Sequence, residues 1–215
     1  MQKVGQKKCG VVMTPSDSEV ISYCQQTYDY CLDNIGFNKM LSRRARDDNI
    51  KKVLLTMQML TNHFQRLNNI YVCHTSDSTG LLYSLKRTFG CRITVLTDHP
   101  LFQLMHDYYD DTLFGIDYQK VNCIFDDPFR YMDNPDLVMF PDMEYYVPLR
   151  YKHFKDVTSP LCCTYYVDEL NVATEQNLIE TPKQILELFS FKNVIDLSAT
   201  KTTEQRYCYC GLGTT

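Results

Sequence analysis

The chain has 215 residues, 44% of them hydrophobic and 22% charged, with a net charge of −4 and a pI of about 5.7. That length suits one α/β domain with a full core. The acidic balance argues against a general nucleic-acid coat but leaves room for a local basic patch. The N-terminus has no apolar leader core and there is no apolar run of about 18 residues, so neither secretion nor a membrane span is expected.

Ser16, Asp17, Ser18 and Glu19 can cap a helix, on which Val20, Cys24, Tyr28 and Cys31 share one face. Asn34, Ile35 and Gly36 end it. A polar segment follows, with Arg43, Arg44 and Arg46 close together. Val53, Met57, Leu60, Phe64 and Leu67 then recur at alternating spacings of four and three, the pattern of an amphipathic helix. Residues 1–68 therefore read as an N-terminal helical extension or cover, and 69–215 as a Rossmann-like domain.

From Asn69 the period changes. A strand over 70–74 precedes a helix over 81–88. A strand over Arg92–Thr97 precedes a helix over 100–109, with Pro100 in a permitted first-turn position. Further strands are expected over 121–125, 136–140 and 161–167, and a helix over 182–189. Two last strands, 194–197 and 205–210, are joined by about seven polar residues. That link is too short for a parallel crossover, so the last strand is expected to be antiparallel.

The ten cysteines lie mostly inside these apolar patterns, where a free thiol acts as a small hydrophobe. No CxxC occurs, and neither Cys162-Cys163 nor Cys208-Tyr209-Cys210 has zinc spacing, so no metal site is assigned. Reduced, buried thiols in a cytoplasmic protein are expected.

The stretch from Asn69 to Asp98 is the most informative. It reads as strand, small-residue turn, helix, strand and carboxylate. Asp98 follows Gly80 by 18 residues, close to the ~20-residue gap between a nucleotide-binding turn and the acid that takes ribose hydroxyls. Parallel neighbouring strands end at one edge of the sheet, so turn and acid face one crevice.

Five strand–helix units closed by an antiparallel hairpin make an order that resembles the class I S-adenosylmethionine-dependent methyltransferase family, from Asn69 to the C-terminus. The resemblance implies a three-layer α/β/α sandwich with a seven-stranded, mostly parallel sheet, and S-adenosylmethionine as cofactor. It implies an acid and then a glycine-rich turn after strand one. Here His74 stands in the acid's place, Ser76 and Ser78 replace two glycines, and Gly80 matches. Asp98 would take the ribose, with His99 in the same loop. Asp126 or Asp127 would accept from the adenine amino group, with Phe129 on the ring. After strand four, Asp142 and Glu144 are candidates for a general base, and Tyr145 and Tyr146 for stacking on a planar acceptor. Arg43, Arg44 and Arg46 would hold an anionic substrate or a phosphate backbone, or else form a solvated charged loop.

Each residue also has a plainer use. Asp77, Ser78 and Asp98 can cap helices, Asp126-Asp127-Pro128 is turn chemistry, and the tyrosines can pack on the core. Methyl transfer to an unidentified acceptor is the expected function. One alternative is a non-catalytic binding protein on a degenerate fold, which the eroded glycine turn favours. Another is a nicotinamide-dependent reductase, which would need a glycine-rich first turn where this chain has only Gly80. The Asn-Pro-Pro-aromatic signature of amino-group DNA methylation and the Pro-Cys of cytosine C5 chemistry are absent.

Overall fold

The computed structural model describes residues 15–35, 43–73, 80–97, 116–120, 135–141, 158–168, 193–202 and 206–214. Helix α1 spans Asp17–Ile35. At its start the Ser16 amide and hydroxyl both donate to Glu19 Oε2 at 2.8 Å. This satisfies an otherwise orphaned donor and sets the first turn, and the contact lowers the Glu19 pKa. Helix α2 spans Arg43–His63, so the arginine segment opens a helix instead of forming a loop. The 4,3 stripe reaches Phe64 and Leu67 in sequence, but the helix stops at His63. Phe64 makes one last backbone bond to Leu60, and Leu67 is buried beyond the helix end.

Strands β1 (Asn69–Cys73), β2 (Arg92–Thr97), β3 (Ile116–Lys120), β4 (Leu137–Phe140), β5 (Leu161–Asp168), β6 (Asn193–Lys201) and β7 (Arg206–Thr214) form one sheet, with helix α3 (Leu81–Phe89) between β1 and β2. The order is β3-β2-β1-β4-β5-β7-β6. Neighbours from β3 to β5 are parallel, and β7 runs antiparallel to both β5 and β6. The expected seven-stranded, mostly parallel sheet with an antiparallel last strand is therefore present.

Three boundaries differ from expectation. The expected strand over 121–125 lies outside the described residues, and a strand lies over Ile116–Lys120, where none was expected. It is the edge strand, paired on one side only among the described residues. Its alternation of apolar and polar residues suits that place. The last two strands run longer than 194–197 and 205–210, because Gly211 and Gly213 sit inside β7 instead of ending it. Gly211 pairs with both Cys163 and Leu197. The expected helices over 100–109 and 182–189 lie outside the described residues.

Helices α1, α2 and α3 touch one another, so they cover one face of the sheet. Their apolar stripes meet Ile70, Val72, Ile93, Val95, Leu137, Met139, Cys162, Cys210 and Leu212 in one core that also holds Val20, Cys24, Val53, Met57 and Leu60. On the opposite face Tyr71, Leu96, Val138, Phe140 and Cys163 are also out of water. A sheet buried on both faces is the mark of a three-layer α/β arrangement. No described helix is long and apolar enough to cross a membrane.

At the amino edge of the sheet, the Asp136 carboxylate accepts from the amides of Asn68 at 2.6 Å and Asn69 at 3.1 Å. That contact ties the start of β4 to the start of β1 and fixes their register.

Candidate active site at the carboxyl edge of the sheet

In an open α/β sheet, ligands bind beyond the carboxyl ends of the strands, where the strand order reverses. Here the reversal falls between β1 and β4. Register puts Cys73 beside Leu96, Thr97 beside Lys120, and Phe140 beside Cys163. The exits of β1, β2 and β4 therefore share one edge. β5 continues beyond the partner of Phe140 as far as Asp168, so Tyr166 stands above the end of β4.

Gly80 starts α3 with φ +80°, a left-handed conformation that side chains disfavour. A Cβ there would also lie 2.7 Å from the Cys24 Cα of α1. The glycine therefore lets helix α1 press its backbone onto the end of the β1–α3 turn. Ser84 Oγ donates back to the Gly80 carbonyl at 2.9 Å, which closes the first turn of α3.

The directions of α1 and α2 follow from what their ends touch. Near the start of α2, Asn49 Oδ1 accepts from the Tyr166 hydroxyl at 3.4 Å, and Lys51 Nζ donates to the Lys201 carbonyl at the carboxyl end of β6. Near its end, His63 Nε2 bonds Asp196 Oδ2 at 2.8 Å, close to the start of β6. Helix α2 thus begins at the carboxyl edge. A cavity lined by Pro15, Asp17, Val20, Leu54, Met57, Gln58, Thr61 and Asn62 joins the start of α1 to the later half of α2. At the other end, Arg46 Cζ lies 5.6 Å above the Tyr28 ring. Helix α1 therefore climbs toward the carboxyl edge. Tyr28 is one turn, about 6 Å, beyond the Cys24 contact with Gly80.

The start of α2 carries a stripe that the sequence reading did not single out. Asp48, Lys52 and Thr56, spaced by four, are all buried. Lys52 is only 2% exposed, and its ammonium lies 5.7 Å from the centroid of the Tyr166 ring. Thr56 Oγ1 donates to the Lys52 carbonyl at 2.8 Å. The signal was present as polar residues at the helical spacing beside the apolar seam of Val53, Met57 and Leu60.

Of the candidate residues, Gly80 and Arg46 are described in full. Arg46 donates from Nε and Nη2 to Asp47 Oδ1, both at 3.3 Å. Arg43 and Arg44 are placed as the first two residues of α2. His74, Ser76, Ser78, Asp98, His99, Asp126, Asp127, Phe129, Asp142, Glu144, Tyr145 and Tyr146 lie outside the described residues. In sequence, the first three follow β1, Asp98 and His99 follow β2, and the group from Asp142 to Tyr146 follows β4. Asp126, Asp127 and Phe129 follow the strand that ends at Lys120. Among the described residues no group of His, Cys, Asp and Glu could hold a metal ion.

Comparison with known structures decides the architecture. A geranyl diphosphate methyltransferase solved with GPP and sinefungin matches with a TM-score of 0.59 and 8% identity, over 92% of this chain and 98% of that one. The fold is that of the class I S-adenosylmethionine-dependent methyltransferases. The magnesium protoporphyrin IX methyltransferase of Synechocystis PCC 6803, with bound SAH, matches at TM-score 0.52 and 10% identity, over 89% of this chain and 100% of that one. The S-adenosylmethionine-dependent methyltransferase SibL matches at TM-score 0.51 and 12% identity over 76% of this chain, which spans about half of that one, 54%. No family model matches the sequence, and no curated protein matches it.

The residues on this methyltransferase-fold chain suit an adenosyl cofactor. A glycine in the left-handed region ends the β1–α3 turn at the switch point, and hydroxyl and carboxyl groups follow the exits of β1 and β2 in sequence.

Proposed function

We propose that this protein transfers a methyl group from S-adenosylmethionine to an acceptor held over the carboxyl ends of β4 and β5. The observation that carries this reading is the strand order. The switch between β1 and β4, with an antiparallel β7 between β5 and β6, divides one edge of the sheet into two halves. The half over β1 and β2 suits the cofactor, with Gly80, His74, Ser76 and Ser78 at the turn and Asp98 and His99 at the ribose. Asp126 or Asp127 and Phe129 would serve the adenine.

The half over β4 and β5 is left for the acceptor. Asp142, Glu144 and Tyr145 follow β4 and would act there, one carboxylate taking a proton from the attacking group. Tyr146 would pack on the acceptor, and Arg43, Arg44 and Arg46 would face it from α2. When bound, the cofactor supplies an electrophilic methyl group on a sulfonium. The chain's own part is to bind, to orient the acceptor in line, and to exclude water.

Thermal unfolding with added ligand tests the reading. S-adenosylhomocysteine should raise the melting temperature, by about 2.7 kcal/mol of stabilisation at a hundred times its dissociation constant. NAD should leave it unchanged. No shift with the adenosyl ligand, or a shift with NAD alone, would refute methyl transfer.

A further inference from the structure

We draw no further inference here: the strongest candidate, the surface patch of exposed Val194, Ile195 and Leu197 on the outermost strand β6, is an unpartnered apolar face, and nothing in the structure shows what covers it.

Discussion

Gly80 carries two constraints at once. Its φ of +80° costs a side-chain-bearing residue about 1–2 kcal/mol. Its missing Cβ leaves room for the Cys24 backbone, 2.7 Å from where that atom would lie. A backbone neighbour cannot rotate away as a side chain can, so Gly80→Ala must push α1 from α3. Urea unfolding should show a loss of about 2–4 kcal/mol, at the upper end for single substitutions. A loss below about 0.5 kcal/mol would mean that α1 is not seated as described. Asp98 separates two roles in one variant. Asp98→Ala should weaken S-adenosylhomocysteine binding by about 1.5–3 kcal/mol if the carboxylate takes the ribose. Should it only cap a helix, stability falls by about 1 kcal/mol and affinity stays.

The elements were legible to different degrees, for physical reasons. β1, β2, β4 and β5 are buried on both faces, so each appears in the sequence as a short apolar run between polar punctuation. β3 has a neighbour on one side only among the described residues and alternates over Ile116–Lys120, so no apolar run marks it. The arginines of α2 looked like a loop because charge at a helix start contradicts the dipole rule. The polar stripe of Asp48, Lys52 and Thr56 escaped notice because burial of charged groups is rare without partners supplied from elsewhere in the fold. The apolar seams of α1 and α2 were readable, but not that they close the same core as the sheet. Val20, Cys24, Val53, Met57 and Leu60 are each at most 3% exposed in that core. Burying one such side chain contributes about 1.5–3 kcal/mol. Residues 69–215 expressed alone should therefore show no cooperative unfolding transition by circular dichroism. A sharp two-state transition in that fragment would show that α1 and α2 are dispensable to the fold.

Across the molecule, the seven cysteines whose side chains are described are buried and in no disulfide. Burial pushes the Cys91 thiol from an ordinary 9.0 to about 11. Cys162 shares a 3.8 Å hydrogen bond with Cys210, which itself lies 3.4 Å from Met59 Sδ. That contact, and burial after it, hold the Cys162 pKa well above the usual thiol range. Burial also raises Cys163, and burial with the neighbouring Tyr207 raises the Tyr209 phenol. All four shifts have one sign. Below the unfolded thiol value both states keep the proton, and the stabilisation is whole. Above it the unfolded chain loses protons first, so stability falls as pH rises, by about 1.4 kcal/mol per pH unit for each thiol involved. For Cys91 the window runs from 9.0 to about 11. The urea midpoint should be lower at about pH 10 than at about pH 8, and Cys91→Ala should reduce the difference. An equal midpoint at both would mean that these thiols are not enclosed.

The place of β7 also bears on the route by which the chain reaches this fold. β7 comes after β6 in sequence, yet it lies between β6 and β5. Among the described residues β6 pairs with the rest of the sheet only through β7. It must therefore wait as an unpaired strand until the following segment has been synthesised and inserted. Pairing of distant segments makes such steps slow, and waiting strands are open to misassociation. Demand for chaperones during synthesis should thus centre on the interval between β6 and β7, and slow translation there would lengthen the exposure.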